Sequence, residues 1–374
     1  MRLTELYDVT EGGASGGARY NSEVAFLYRI AGDKKFNPKK PSSSMDMSMF
    51  ADPKRTASEI DKFLVPNYNP KIFDAWEHLA DAYMDAIEQR EGARPEKLGW
   101  AGGSNINDDG VADVVFYNFP AAGVSIKDTG GITLANLTPR SLGLEPDRGR
   151  DVFSHLAQKE FDAMKKAIFT DVLNDAMSKP DQPQNYGGTR QIVYNSQTQD
   201  FTVDGKQKSI TATADQIMAQ IGNNANWQRV FGDWFQQNWQ AKKEYAAPLY
   251  KKVAKLIELQ LEEALGDNEK LQRILQFADQ PYYYATTKGL YLVPSIEEAG
   301  DLQLKRVYYA EPDGTSQKFI AEIGHRPEPG EPENNNNAQV TVYIRYANGM
   351  FESNPTVRVQ DLKNPENLAW EKIV

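Results

Sequence analysis

From Pro70 onward, apolar residues fall at Ile72, Phe73, Trp76, Leu79, Ala80, Tyr83, Met84 and Ile87. This i, i+3, i+4, i+7 spacing predicts an amphipathic helix over 70–92. Val24, Ala25, Leu27 and Tyr28 predict a shorter helix over 21–31, with Glu23 beside them. A third helix is predicted over 149–177, with Val152, Phe153, Leu156, Phe161, Met164, Ile168 and Val172 as its apolar face. Helical patterning returns over 213–221 and 225–265, where Pro248 should kink or split the second stretch. Trp227, Trp234 and Trp239 roughly share one face there and read as core.

Other stretches carry the strand period or strand-like apolar runs. Strands are predicted near 97–101, 112–118 and 122–127, and QIVYN and DFTVDGKQKSITAT give short strands with a turn at Asp204-Gly205. From Gln280 the chain becomes a series of hairpins: PYYYATTKGLYLVPS, then LKRVYYAEPDGTSQKFIAEIG with a turn at Asp313-Gly314. VTVYIRYANGMFES follows, with Asn348-Gly349 as the turn. The tail therefore reads as a β-rich module. KKFNPKKPSSSMDMSMFADPKR and SKPDQPQNYGGTR are expected as loops, and HRPEPGEPENNNNA as unstructured. No internal repeat is evident.

Composition narrows the classes of function. At 374 residues the chain can form a large core and two domains. It has no cysteine, which excludes disulfides and thiolate metal sites, and only three histidines, His78, His155 and His325. Any metal is then expected on oxygen ligands. The net charge of −10 speaks against a passive nucleic-acid coat protein but leaves room for a local basic groove. No apolar run is long enough to span a membrane, and MRLTELYDVTEGG lacks the apolar centre of a signal peptide, so a cytoplasmic protein is expected. No G-x-x-x-x-G-K-[ST], G-x-G-x-x-G after a strand, G-x-S-x-G or H-E-x-x-H occurs.

The stretch GVADVVFYNFPAAGVSIKDTGG stands out, because two apolar strands carry an acid and a lysine. Asp113 heads the first strand. In the second, Val124 and Ile126 share one face, Ser125 and Lys127 the other. Antiparallel pairing would bring Asp113 and Lys127 to one sheet edge. There an acid can hold a divalent cation, and a lysine can orient or deprotonate a water or stabilise developing negative charge. The bland reading is an aspartate serving a turn and a lysine reaching solvent.

The layout resembles the PD-(D/E)XK nuclease superfamily, whose core runs helix, three antiparallel strands, helix, strand. Asp113 matches the family's first acid and Lys127 its lysine. Glu23, in RYNSEVAFLYR, resembles the first-helix glutamate of many members, and Gly102-Gly103-Ser104 is similar to resolvase-like members. Ser125 stands where the second acid is usual, and Ala112 where proline is usual. The second metal carboxylate is then sought first at Glu23, next at Glu145, last at Asp128. The distance from Glu23 to Asp113 requires an insertion at 35–95.

The resemblance covers segments 20–31 and 97–177. It implies an α/β (α+β) restriction-endonuclease-like core, a mixed sheet flanked by helices, over 1–180. A mainly helical extension over 181–275 and the β-rich module over 276–374 complete the chain. It further implies metal-dependent hydrolysis of DNA phosphodiesters, with Asp113, Lys127, Glu23 and Ser125 as catalytic set. Asp113 and Glu23 would hold magnesium or manganese. Partners would be DNA and, by analogy, a second copy, in a bacterial or phage-infected cell. RNA remains an open substrate, and a non-catalytic virion or interaction protein of the same fold is the rival.

Basic residues offer phosphate contacts. Arg140, Arg148 and Arg150 follow the strand pair, and Lys34, Lys35, Lys39 and Lys40 lie in the first loop. Lys242, Lys243, Lys251, Lys252 and Lys255 are interleaved with acids and read as a solvated helix face. NINDDGVAD matches early positions of a calcium loop, but Phe116 occupies the place of its bidentate glutamate. A calcium loop is not expected. Asp108 and Asp109 are expected in a turn, and His155 in the core or on the surface.

Overall fold

The computed structural model describes residues 17–101, 112–128, 130–137, 158–187, 190–204, 209–219, 225–238, 244–245, 247–313, 316–327, 336–345 and 356–374. The protein is α+β, with one mixed sheet and two antiparallel sheets.

Three helices open the chain: α1 (Gly17–Ala31), α2 (Pro53–Leu64) and α3 (Pro70–Glu91). Local chemistry sets their ends. Asp52 caps α2 by accepting from Arg55 N, and Asn69 caps α3 by accepting from Lys71 N. Pro53 and Pro70 follow these caps, where a missing N–H costs nothing. Gly92 ends α3 in the left-handed region with φ of 73°, donating its N–H to Glu88 O. The predicted face of α3 is buried at Phe73, Trp76, Ala80, Tyr83, Met84 and Ile87. Helix α1 is buried more completely, with Asn21 to Leu27 all inside. Asn21 is reconciled to burial by donating to Asn67 O at 2.9 Å and accepting from Asn69 N at 2.8 Å.

These helices cover one face of a six-stranded sheet ordered β1-β2-β3-β9-β10-β15. Its strands are β1 (Lys97–Trp100), β2 (Val114–Tyr117), β3 (Gly123–Ile126), β9 (Tyr282–Thr286), β10 (Gly289–Val293) and β15 (Glu371–Lys372). Neighbours run antiparallel except β3 and β9, which are parallel. Leu98, Trp100, Val114, Phe116, Val124, Ile126, Tyr283 and Ala285 pack with α1 and α3. Tyr282 and Tyr284 point into the second core. A central strand buried on both faces explains three consecutive fully buried tyrosines. Their hydroxyls donate to Gln276 O, Glu91 and Thr133 O.

The rest of the chain builds the second core. β4 (Thr133–Leu137) pairs with β14 (Thr356–Lys363) at the edge of a sheet that also holds β11 (Leu302–Asp313), β12 (Ser316–His325) and β13 (Ala338–Arg345), in the order β11-β12-β13-β14-β4. A small sheet joins β5 (Gln184–Asn185), β6 (Gln191–Asn195), β7 (Asp200–Val203) and β8 (Ile210–Ala212). Helices α4 (Gln158–Met177), α5 (Ala214–Ala219), α6 (Ala225–Gln237), α7 (Ala247–Leu265) and α8 (Asn268–Ile274) complete it.

The stretch 225–265 is described as two helices, Ala225–Gln237 and Ala247–Leu265, in line with the split expected near Pro248, which sits in the first turn of the second, where proline is tolerated; 239–243 and 246 lie outside the described residues. Other expectations change. SKPDQPQNYGGTR is not all loop, because Gln184 and Asn185 pair with β6. The hairpins of the tail do not form one sheet. β9, β10 and β15 join β1–β3, while β4 leaves those strands and joins β11–β14. Hydrophobic alternation marks a strand but not its neighbour across a long connection. The turns at Asp204-Gly205, Asp313-Gly314 and Asn348-Gly349, HRPEPGEPENNNNA for the most part, and Trp239 fall wholly or partly outside the described residues.

Candidate functional site

The β2–β3 hairpin places the central acid. Val114 pairs with Val124 and Val115 with Gly123, so the register brings Asp113 opposite Ser125. Asp113 is held by its own backbone. Its N–H donates to Val124 O at 3.0 Å and its carbonyl accepts from Ala101 N at 3.0 Å. Gly123 permits this close approach, since a Cβ there would sit 2.1 Å from Val114 O.

The Asp113 side chain turns back onto β3. Its Oδ2 accepts from Ile126 N at 2.7 Å, Ser125 Oγ at 3.3 Å and Lys127 Nζ at 3.4 Å. Ser125 is fully buried, whereas Asp113 and Lys127 keep 14% and 28% of their side chains exposed. The Lys127 ammonium also lies 5.9 Å from the centre of the Tyr284 ring, a cation–π contact that holds it over β9.

Helix α1 supplies the second acid. Glu23 is 0% exposed. Trp100 Nε1, at the end of β1, donates to Glu23 Oε2 at 2.7 Å. Arg19, one turn earlier on α1, bonds Glu23 Oε1 through Nε and reaches Asp113 Oδ1 with its terminal nitrogen at 3.4 Å. One guanidinium therefore bridges two carboxyl groups from different elements. Burial pushes the Glu23 carboxyl up to about 8, helped by the nearby Asp113 charge and opposed by Arg19 and the Trp100 bond.

The structure thus brings Asp113, Lys127, Ser125 and Glu23 to one end of the six-stranded sheet. Asp128 follows Lys127 and lies close to Ser22 of α1 and Trp76 of α3. Burial raises its carboxyl above the usual range, opposed by the nearby Ser22 and Trp76 donors, and the charges of Asp113 and Lys127 also act on it. Lys34, Lys35, Lys39 and Lys40 follow the far end of α1 from Arg19. Arg140, Arg148, Arg150, Glu145, His155, Asp108 and Asp109 lie outside the described residues.

Arg19 and Trp100 are not singled out by the sequence reading. The R-x-x-x-E spacing, which stacks Arg19 on Glu23, is the signal that was available for the first. Nothing local marks Trp100, whose partner is set by the packing of α1 on β1.

Carboxylate oxygens are the donors that small hard cations take. Two carboxyl groups converge from a helix and a strand, and a positive group already sits between them. Among the described residues, no three His, Asp or Glu side chains are placed to hold a metal together. A divalent ion here would rest on Glu23 and Asp113, with water and substrate oxygens as its other ligands, the usual pattern for magnesium. Comparison with family models, curated proteins and solved structures finds no match for this chain.

Proposed function

We propose that the protein is a metal-dependent nuclease that hydrolyses DNA phosphodiester bonds at the Asp113–Lys127 site. The observation that carries this reading is the shared carboxylate. Asp113 Oδ2 accepts from Lys127 Nζ while Asp113 Oδ1 is linked through Arg19 to the buried Glu23. The order of elements supports it. Helix α1, antiparallel β1–β3, helix α4 and β9 beside β3 occur in the order expected from the superfamily that the motif resembles, with α2 and α3 standing before β1, and β4–β8 and α5–α8 between β3 and β9.

Asp113 and Glu23 would hold magnesium or manganese, which when bound polarises the phosphoryl oxygens and lowers the pKa of a ligated water. Lys127 would orient the attacking water or stabilise charge on phosphorus, since its ammonium is fixed by Asp113 and Tyr284. The water oxygen forms the new bond to phosphorus, the bond to the leaving sugar oxygen breaks, and one water proton ends on that oxygen. Ser125 orients Asp113 through its hydroxyl.

Cleavage of supercoiled and linear DNA with magnesium or manganese tests this reading. The wild type is expected to cut. Asp113→Asn and Lys127→Met should lose about a hundredfold or more while keeping the wild-type circular-dichroism spectrum. Wild type that leaves both substrates intact, or variants that cut equally well, would sink the assignment.

A second reading is a binding protein without catalysis, for instance a virion component. It is favoured by Arg19 and Lys127, two cations already on Asp113, and by serine at position 125. It predicts no divalent-ion binding at Asp113.

A further inference from the structure

We infer that Arg19 is a tethered cation occupying the metal position between Glu23 and Asp113, and that a divalent ion binds only by displacing its guanidinium. The inference rests on the nuclease reading for the identity of the ion, and on geometry for the rest. Arg19 Nε bonds Glu23, and a terminal nitrogen of the same guanidinium edge lies 3.4 Å from Asp113 Oδ1. A guanidinium edge bonded to both carboxyl groups takes up the room and the charge balance that an ion would need.

Three further features fit a displaceable group rather than a permanent strut. Arg19 lies in the first turn of α1, whose range begins at Gly17, so its side chain is at a helix end. It is 51% exposed, against 0% for Glu23, so it has solvent to turn into. Its Asp113 contact, at 3.4 Å, is longer than its bond to Glu23, and Asp113 keeps three other donors when Arg19 leaves. Lys127 contacts Asp113 at the same 3.4 Å but differs in its setting. It is the less exposed cation, it bonds the other Asp113 oxygen, and it is held over Tyr284.

The physical consequence is competition. A divalent ion entering beside the guanidinium would meet a like charge at contact distance, which no solvent screens fully at a site with one wholly buried partner. Removing the charge at position 19 leaves the carboxyl groups in place and the position open. The protein would then bind metal more tightly.

Calorimetric titration of manganese into the full chain, without DNA, tests this in wild type, Arg19→Gln, Arg19→Lys and Asp113→Asn. Thermal melting beforehand confirms that each variant is folded. Arg19→Gln should tighten binding on the order of tenfold, and Arg19→Lys should return it towards the wild-type value because the positive charge is restored. Asp113→Asn should abolish the tight site. Equal or weaker binding by Arg19→Gln overturns the inference, as does an absence of binding in both wild type and Arg19→Gln. The failure of the nuclease reading is separately visible. Tighter manganese binding by Arg19→Gln in a protein that never cuts DNA keeps the tethered cation and removes the nuclease. Cleavage by the wild type with unchanged manganese affinity in Arg19→Gln does the reverse.

Discussion

Glu23 concentrates the chemistry of the site in one side chain. It is a carboxyl group with no solvent contact, one aromatic N–H donor and one guanidinium partner. Its ionised form is costly, and the nearby Asp113 makes it more so. The sign of the resulting pH dependence follows directly. The folded protein binds the proton up to about 8, while the unfolded chain releases it near the model value of 4.5. Folded protein therefore holds more protons between those values, and stability falls as pH rises through that window. Glu23→Gln keeps a neutral group of the same shape and should flatten this dependence. Melting temperatures of the metal-free proteins at pH 5 and pH 8 should show the wild type losing a few degrees relative to the variant. A difference that stays constant, or that shrinks, would contradict the burial argument. Four of the site's side chains were visible as residue types at suggestive positions: Asp113, Lys127, Ser125 and Glu23. Arg19 and Trp100 were not, because their roles exist only where α1 meets the end of β1.

At the scale of the element, the β2–β3 hairpin is the part that converts sequence into site. Period-2 alternation puts Ser125 and Lys127 on one face, and a short connection forces antiparallel pairing. Asp113 and Lys127 meet because they flank the same hairpin, which is why their proximity could be read locally. The hairpin depends on Gly123. A side chain there would collide with Val114 O at 2.1 Å and Ala112 Cβ at 2.9 Å. Gly123→Ala should cost about 1–3 kcal/mol in urea unfolding and should also weaken DNA cleavage, although no charged group is touched. Loss of stability with full activity would show that Asp113 is positioned without the register of this hairpin. Helices α1 and α3 were equally readable, because caps and apolar faces are local properties.

The whole molecule is held by pairings between distant segments. β9 lies beside β3, with Val124 opposite Tyr283 and Ile126 opposite Ala285, across the entire region that contains α4 to α8. Lys127 N donates to Ala285 O at 2.9 Å, so the backbone of the site is itself fastened to the late strand. β15 then closes the same sheet from the end of the sequence, with Trp370 buried just before it. A fragment ending at residue 275 would keep every charged residue of the site but expose β3 as an open edge and leave its apolar face uncovered. That fragment should show no cooperative unfolding transition and should bind a hydrophobic dye. A sharp transition from it would mean that the first helices and β1–β3 form a self-sufficient unit. Among the described residues, no helix is long and apolar enough to cross a membrane.

The division between chain and fold is clear at the site itself. Local pattern specified α1, α3, the β2–β3 hairpin and the closeness of Asp113 to Lys127, since each depends on side chains within a few turns of one another, but it missed α2, whose first residues were read as loop. Folding alone decided that α1 delivers Glu23 and Arg19 to that hairpin, that Trp100 meets Glu23, and that the late strands β9, β10 and β15 complete the early sheet. Periodicity records which side of an element is buried, but the choice of partner depends on shape and hydrogen-bonding complementarity between segments that share no local signal.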